Sequence, residues 1–322
     1  MIRLGILGCS EIAYRRFMPA VKSVSDVIVV VVGENYATNK LDEFRDAFNI
    51  EGVKSLNEVI ERSDIDAVYI PQPPALHYEY AKKSLLSGKH VFLEKPSTCN
   101  YQNTEELVKL ADQYGLVLHE NYMFKYHRQI EVIKQIVDSE EIGEVRLIRC
   151  DFGFPLRAKN DFRYSNQLGG GALLDAAGYP ICLATKFLGN NLEVSSSMLN
   201  YLEGFEVDMY GNATLNDDKG RTCQIAFGMD CQYKCQLEIW GSKGSIIADR
   251  IFTAPPDYIP VIQIKKGNEL ENRILKPDNH FVRSIERFVD ELSSDELKHR
   301  MYDEILVQAR LVEEIRNRNE NC

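Results

Sequence analysis

The sequence predicts an α/β fold class, in which a doubly wound parallel sheet is followed by an α+β domain with a large, mostly antiparallel sheet. Up to about residue 120, short apolar runs alternate with segments of helical periodicity. Beyond about residue 145, apolar runs follow one another with only turn residues between them. The length of 322 residues suits two domains, which we place at residues 1–120 and 121–322.

The first half contains five continuously apolar runs, which are typical of parallel strands buried on both faces. They are residues 2–7, 27–32, 67–70, 90–93 and 116–119. Between them apolar residues recur at helical spacing, and the segment around Leu107 and Leu110 ends at Gly115, a usual helix stop. Pro19 interrupts the first helix, so we expect a kink or a break near Met18.

The second half contains six predicted strands, several of which are joined by turn residues alone. The strands are residues 146–154, 193–201, 206–215, 222–227, 236–240 and 245–248. Strands that follow one another without helices predict an antiparallel sheet. Helical segments are predicted near residues 128–138, 171–188, 280–293 and 301–317.

Charge and apolar patterning exclude several classes of partner. With 38 basic and 48 acidic residues, the net charge is −10, so no broad basic surface is predicted for nucleic acid or an anionic membrane. No run of 18 apolar residues predicts a membrane span, and the N-terminal segment reads as a strand rather than a signal peptide. Eight irregularly spaced cysteines predict core thiols in a reducing cytoplasm and no metal site.

A glycine-rich turn follows the first strand and opens a helix. Gly8, Cys9, Ser10, Glu11 and Ile12, completed by Ala13, match a G-x-G-x-x-G/A fingerprint in which serine takes the middle glycine position. A small middle residue lets backbone N–H groups reach a pyrophosphate at the helix N-terminus. The position between a strand and a helix favours dinucleotide binding over a plain tight turn.

The second strand is followed by an acidic residue, Glu34. A carboxylate there hydrogen-bonds the ribose hydroxyls of NAD and repels the 2′-phosphate of NADP, so Glu34 favours NAD. Lys40, Arg15 or Arg16 would instead reach such a phosphate, although each also reads as a solvated helix residue. NAD and NADP therefore both remain candidate cofactors.

The segment from Gly88 to Pro96, which ends in Glu94-Lys95-Pro96, resembles the Gfo/Idh/MocA family of NAD(P)-dependent oxidoreductases. Three other stretches agree with it in order, at residues 70–77, 123–127 and 168–175. The resemblance covers essentially the whole chain and implies a Rossmann domain followed by a domain with a large, mostly antiparallel sheet.

The helix after the glycine-rich segment 169–171 distinguishes branches of that family. Many members carry a histidine where this chain has Tyr179, and a tyrosine is similar to the branch of nucleotide-sugar 3-ketoreductases, dihydrodiol dehydrogenases and xylose dehydrogenases. Residues 8–16 and 160–163 look most like the deoxysugar nucleotide 3-ketoreductases. Those relatives usually use NADPH and carry Ser-Arg where Glu34-Asn35 stands here.

Three residues are the candidate catalytic groups for hydride transfer to a carbonyl. Lys95, at the carboxyl end of a strand, supplies a charge that stabilises the developing alkoxide. Tyr179 supplies the proton, and a nearby ammonium favours its phenolate. Asp175, four residues earlier on the same predicted helix, faces the same way and orients the substrate or the lysine. The alternatives are a surface lysine, a core tyrosine and a structural carboxylate.

The remaining candidate residues are binding residues, each with a plain structural alternative. Glu94 contacts the cofactor or braces the turn, and Pro71, Pro73 and His77 lie where the nicotinamide ribose is expected, although His77 also reads as a helix-start residue. Candidate substrate residues are Arg163, which suits a phosphate but also a surface ion pair, and Tyr126 and His127, which line a pocket or only pack. The glycines at 169–171 lack the features of a phosphate loop and are expected to let the chain approach the sugar.

These residues predict an enzyme that transfers a hydride between nicotinamide and a sugar or nucleotide-sugar carbonyl. The alternatives are oxidation of a free aldose or trans-dihydrodiol, and a dinucleotide-binding sensor without activity. The open face of the second sheet predicts a homo-oligomer, either a dimer or a tetramer.

Overall fold

A computed structural model describes residues 1–320, and its first sheet is a six-stranded, all-parallel Rossmann sheet. Its strands are β1 (Ile2–Leu7), β2 (Val27–Gly33), β3 (Glu51–Val53), β4 (Ala67–Ile70), β5 (His90–Leu93) and β6 (Leu118–Glu120). Their order is β3-β2-β1-β4-β5-β6, so the direction of winding reverses between β1 and β4. Ligands of such sheets bind outside the carboxyl ends of the strands at this reversal.

The helices of this region lie between the strands, as the periodicity predicts. They are α1 (Met18–Val21), α2 (Thr38–Phe48), α3 (Leu56–Glu61), α4 (Pro74–Leu86) and α5 (Tyr101–Gln113). All four residues of β4 are buried, which confirms that the sheet is covered on both faces. Near Met18 a π-helix over Ala13–Phe17 gives way to α1, with Pro19 in its first turn, so the helix changes type at this point while its backbone stays helical.

The second sheet has eight strands and is mostly antiparallel, which confirms the predicted fold class. Its strands are β7 (Val145–Gly153), β8 (Leu192–Tyr201), β9 (Asp208–Asp217), β10 (Thr222–Gly228), β11 (Lys234–Gly241), β12 (Ser245–Asp249), β13 (Val261–Lys266) and β14 (Glu269–Ile274). The order is β14-β13-β12-β11-β7-β10-β9-β8, and only the β7–β10 pair is parallel.

The remaining helices are α6 (Arg128–Asp138), α7 (Gly178–Leu188), α8 (His280–Ser293) and α9 (Asp295–Glu320). The contacts divide the chain into two units, of which the first combines residues 1–121 with Phe281–Ala309 and the second contains Tyr122–His280 and the residues from Arg310 onward. Helix α8 and the first part of α9 therefore pack with the Rossmann sheet, although they are distant from it in sequence.

Five of the described cysteines are buried and two are half-buried, so most are core thiols. The eighth, Cys322, lies outside the described residues. Among the described helices, none is both long enough and apolar enough to cross a bilayer.

Candidate functional site

The turn after β1 brings the backbone close to a neighbouring side chain. Gly8 has φ of +114°, and a Cβ there would lie 2.0 Å from Nε2 of Gln72, which donates a 2.6 Å hydrogen bond to the Leu7 carbonyl. Gln72 follows β4, the strand on the other side of the reversal in winding. Glycine is therefore required at position 8 by its conformation, and a side chain there would also displace the amide of Gln72.

The residues after Gly8 begin the helix and present its first amides. Ser10 Oγ accepts a hydrogen bond from Ala13 N, and the Ser10 carbonyl accepts one from Tyr14 N. The N–H groups of Glu11 and Ile12 precede that first intrahelical bond, so the helix itself offers them no acceptor. This turn fits the pyrophosphate of a dinucleotide, which helix N-termini bind through such amides.

Glu34, after β2, hydrogen-bonds the same turn. Its Oε2 accepts from Cys9 N at 3.1 Å, and its Oε1 accepts from Tyr36 N at 3.1 Å and from Ala37 N at 3.5 Å. The carboxylate therefore lies beside the fingerprint turn, where sequence reasoning expects the adenine ribose. Burial, with a smaller contribution from Glu34, raises the pKa of the Cys9 thiol to about 12, so this cysteine is not a thiolate near neutral pH.

Lys95 and Glu94 follow β5, directly beyond the carboxyl end of that strand. Glu94 Oε1 accepts two hydrogen bonds, from the Tyr69 hydroxyl at 2.8 Å and from Asn121 Nδ2 at 2.7 Å. Burial raises the pKa of Glu94, while these donors and the Lys95 charge act in the opposite direction. Sequence reasoning did not identify Tyr69 or Asn121, because neither stands in a motif.

His77 joins two loops of the candidate cofactor site. It is buried, with Nδ1 lying 2.7 Å from the Pro96 carbonyl and Nε2 lying 2.7 Å from the Gln72 carbonyl. Pro71 is buried and Pro73 is the N-cap of α4, so both shape the loop that contains Gln72. The structure thus gives His77 a positioning role between the β4 loop and the Glu-Lys-Pro segment, and its contact with the ribose stays a prediction.

In the second unit, Arg163 and Asp175 form an ion pair. Arg163 Nε donates to Asp175 Oδ2 at 2.8 Å, and its Nη1 donates to Asp161 Oδ1 at 3.1 Å. The two carboxylates raise the pKa of Arg163 against the effect of its burial, so the side chain remains charged. Asp175 belongs to a π-helical turn over Leu173–Ala177 that precedes α7, rather than to one continuous α-helix as the sequence predicts.

The glycines before this turn bring the Arg163 segment close to it. A Cβ on Gly170 would lie 2.3 Å from the Arg163 carbonyl, which accepts a hydrogen bond from Gly171 N. Asp208 Oδ2 accepts from Leu173 N at 2.7 Å. The close approach is thus between two parts of this chain, and the predicted approach to a sugar stays a prediction.

Tyr179 is 7% exposed and lies in a cluster of aromatic rings near the start of α7. Its ring contacts those of Tyr122, Phe124, Phe152 and Phe252 at centroid distances of 5.4, 5.8, 4.9 and 5.4 Å. Such packing restricts the side chain to one orientation. The four partners come from three separate parts of the sequence, and no local pattern identifies them.

Tyr126 and His127, the other candidate substrate residues, directly precede α6. His127 is buried, and its Nδ1 accepts from Gln129 N at 3.1 Å as the N-cap of that helix. Tyr126 is half-buried, and Lys125 Nζ lies 5.4 Å from the centre of its ring. The cap shows that His127 has a structural role, while a role of either residue in substrate binding stays a prediction.

Comparison with known proteins agrees with this arrangement. Residues 2–122 match an oxidoreductase family with an NAD-binding Rossmann fold, and residues 130–247 match the GFO/IDH/MocA C-terminal domain. The chain is 36% identical to dTDP-3,4-didehydro-2,6-dideoxy-alpha-D-glucose 3-reductase of Actinomadura kijaniata, over 98% of this chain and 95% of that protein. It is 25% identical to D-xylose 1-dehydrogenase (NADP(+)) 2 of Haloferax volcanii, over 91% and 89% of the two chains.

A solved structure with the same fold is that of a 3-ketoreductase from Actinomadura kijaniata in complex with NADP and TDP-benzene. It has a TM-score of 0.94 and 36% identity over 98% of this chain and 97% of that one. Solved variants of that protein replace one lysine by alanine or glutamate and one tyrosine by phenylalanine. With both domain types matched in order and a relative of this identity aligned over nearly its full length, the chain belongs to the Gfo/Idh/MocA family of NAD(P)-dependent oxidoreductases.

Proposed function

We propose that this protein is an NAD(P)-dependent 3-ketoreductase that acts on a nucleotide-linked deoxysugar. The observation that carries the proposal is that the chain has both Lys95 and Tyr179, at a characteristic separation in the sequence. In the Actinomadura ketoreductase, the substituted lysine and tyrosine are separated by the same number of residues as Lys95 and Tyr179 are here. The full-length similarity to dTDP-sugar 3-reductases supports the same substrate class.

In the proposed reaction a ketone gains a hydride and a proton and becomes an alcohol. The bound dinucleotide supplies the hydride from its nicotinamide ring. Lys95 stabilises the negative charge that develops on the carbonyl oxygen, and the Tyr179 hydroxyl donates the proton to that oxygen. A proton from solvent then restores the Tyr179 hydroxyl. Oxidation of the alcohol follows the same steps in reverse.

The supporting residues prepare these two groups for their roles. Glu94 lies next to Lys95 in the sequence, and its Oε1 is fixed by the hydrogen bonds from Tyr69 and Asn121. The aromatic rings around Tyr179 restrict its orientation, which lowers the entropic cost of proton donation. We assign Asp175 to substrate orientation, with Arg163 holding its carboxylate. We expect Nη2 of Arg163 to donate a hydrogen bond to a substrate phosphate.

We propose that NAD is the preferred cofactor, although the Actinomadura structure contains NADP. The support for this preference is the Glu34 carboxylate, which is fixed beside Cys9 in the fingerprint turn. A negative charge there disfavours the 2′-phosphate of NADP.

A second candidate function is oxidation of a free aldose, which the similarity to a D-xylose dehydrogenase favours. The decisive difference is the nucleotide. A 3-ketoreductase of nucleotide sugars depends on the diphosphate for affinity, whereas an aldose dehydrogenase turns over the free sugar.

We further propose a homodimer or homotetramer that covers the exposed face of the second sheet. Three large side chains on that face, Met198, Tyr210 and Trp240, are 50%, 41% and 54% exposed. Apolar side chains grouped on one face of a sheet are usual at protein interfaces. A cytoplasmic location remains a prediction from the sequence.

The experiment that tests the proposed function crosses the two cofactors with two substrate classes. NADH and NADPH are each supplied with a dTDP-linked 3-keto deoxysugar or with free aldoses, and turnover is followed by nicotinamide absorbance. We expect turnover of the nucleotide sugar, with higher kcat/KM for NADH. Turnover of free aldoses alone would overturn the ketoreductase proposal, and higher kcat/KM for NADPH would overturn the proposed role of Glu34.

A further inference from the structure

A chain of buried polar side chains lies behind Glu94 in the first unit. Asn121 Nδ2 donates to Glu94 at 2.7 Å, and Ser284 Oγ donates to Asn121 Oδ1 at 2.8 Å. His119 Nε2 lies 3.1 Å from Ser284 Oγ, and its Nδ1 lies 2.9 Å from Glu291 Oε2. Asn121, Ser284, His119 and Glu291 are each at most 1% exposed. These hydrogen bonds thus connect Glu94, the residue before Lys95, to helix α8, which lies far along the sequence.

The donors of this chain all point toward Glu94. An ionised Glu94 only accepts hydrogen bonds, so the amide nitrogen of Asn121 faces it and the amide oxygen faces Ser284. The single hydroxyl proton of Ser284 is used on Asn121, so His119 Nε2 must donate to Ser284. Each of these side chains therefore donates its hydrogen bond in the direction of the Glu94 carboxylate. Hydrogen bonds aligned in this way polarise and strengthen one another.

The far end of the chain is fixed by charge and by packing. Glu291 Oε1 accepts from Arg287 Nε at 3.0 Å, and Glu291 Oε2 lies 2.9 Å from His119 Nδ1. The His119 ring stacks on Phe92 at a centroid distance of 4.7 Å. Phe92 lies on β5, two residues before Glu94. The imidazole is therefore held on both nitrogens and on one face.

We propose that His119 and Ser284 are positioning residues for the reaction and act on Lys95 through Asn121 and Glu94. The inference rests on the proposed function, in which Lys95 stabilises the negative charge that develops on the carbonyl oxygen. Burial by itself favours a protonated Glu94, and a neutral carboxyl would no longer stabilise the ammonium beside it. The aligned donors oppose this effect of burial and fix Glu94 Oε1, so helix α8 becomes part of what positions Lys95.

A polar chain of this kind needs a reason, because an apolar core of the same volume is usually no less stable. A purely structural role, in which the chain only attaches α8 to the sheet, predicts that its loss lowers the melting temperature and leaves turnover of the folded protein unchanged. A positioning role predicts a loss of kcat with KM unchanged, since the substrate itself does not meet these residues.

The test replaces the central hydroxyl with Ser284→Ala and compares it with Ser293→Ala, an exposed serine on the same helix. Each variant is also made in a Glu94→Gln background, where the carboxylate charge is already absent. We expect Ser284→Ala to lower kcat about 10-fold in the wild-type background, with KM and dinucleotide affinity within about twofold. In the Glu94→Gln background the same change is expected to alter kcat less than about twofold, because the two residues act in series. Ser293→Ala is expected to leave kcat unchanged.

An unchanged kcat in folded Ser284→Ala, or equal losses in both backgrounds, would overturn the positioning role. If Ser284→Ala does not fold, Tyr69→Phe removes only the other donor to Glu94 Oε1 and is expected to give the same loss of kcat at constant KM. Full activity of Lys95→Ala would instead refute the proposed function. Failure of the proposed function and failure of the positioning role of His119 and Ser284 are therefore distinguishable.

Discussion

Arg163 and Asp175 are bound to each other in the second unit, with Arg163 Nε 2.8 Å from Asp175 Oδ2 and the two side chains 19% and 11% exposed. The pair sets a carboxylate at the turn that leads into the helix of Tyr179. Because Asp161 also accepts from Arg163, two negative charges share one guanidinium. Asp175 is therefore held by a group whose charge is permanent.

Neutralising one member of this pair is expected to affect activity and stability together. Asp175→Asn keeps an acceptor for Arg163 but removes the charge, so we expect kcat/KM to fall about 10-fold and the free energy of unfolding to fall about 2 kcal/mol. Steady-state kinetics and urea denaturation measure the two effects. The control is Asp161→Asn, which removes the charge of the second carboxylate bound to Arg163. This variant is expected to affect stability more than turnover. Equal kinetics in wild type and Asp175→Asn would contradict a role in substrate orientation.

The cofactor preference is expected to depend on the charge of Glu34. Glu34→Gln keeps an acceptor for Cys9 N and removes the repulsion of a 2′-phosphate, so the ratio of kcat/KM for NADPH to that for NADH is expected to rise about 10-fold. Glu51→Gln, on the neighbouring strand β3, is the control and is expected to leave that ratio unchanged. A constant ratio in Glu34→Gln would show that another group selects the cofactor.

The fingerprint turn is expected to tolerate no side chain at position 8. Gly8→Ala places a methyl group against Gln72 in a backbone conformation that alanine rarely adopts, so the cost is about 1–3 kcal/mol and the turn shifts. Dinucleotide affinity falls with it. Gly88→Ala is a matched control, since Gly88 also has a positive φ of 73° but nothing lies within 4 Å of its Cβ position. Similar melting temperatures and dinucleotide affinities of the two variants would indicate that Gln72 does not restrict the turn.

Acid is expected to destabilise the first unit partly through His90. Its Nδ1 accepts from Val117 N at 2.9 Å, and burial lowers its pKa below the usual 6.5. As the pH falls below 6.5, the unfolded chain therefore binds the proton before the folded protein does, and stability decreases until the folded pKa is passed. Melting temperatures measured between about pH 7.5 and about pH 5 are expected to fall less in His90→Asn than in wild type. Parallel curves would exclude this contribution.

Much of the fold is predictable from the sequence because its strands are apolar runs of the right length. The predicted limits of β1, β4 and β5 agree with the structure to the residue. The sequence pattern does not predict β3, β13 or β14, and two of these strands have a clear physical reason. β3 has only three residues, and β14 is an edge strand with mostly exposed side chains that pairs with β13. Their position depends on hydrogen bonding to a neighbour, which no local pattern of hydrophobicity reports.

The candidate site was predictable only where a motif is continuous in sequence. The turn at Gly8 and the Glu94-Lys95 pair are local motifs, and the structure places both beyond the carboxyl ends of parallel strands. The link from His119 to Ser284 joins residues 165 positions apart, and it arises from tertiary packing. Single-sequence reasoning has no signal for such a contact.

The central claim is that Lys95 and Tyr179 carry the reaction, and kinetics of Lys95→Ala and Tyr179→Phe with a dTDP-linked 3-keto deoxysugar test it most directly. We expect kcat to fall at least about 100-fold in each variant. Dinucleotide affinity, measured by calorimetry, is expected to remain within about threefold of wild type for Tyr179→Phe. Turnover near the wild-type rate in both variants would contradict the account.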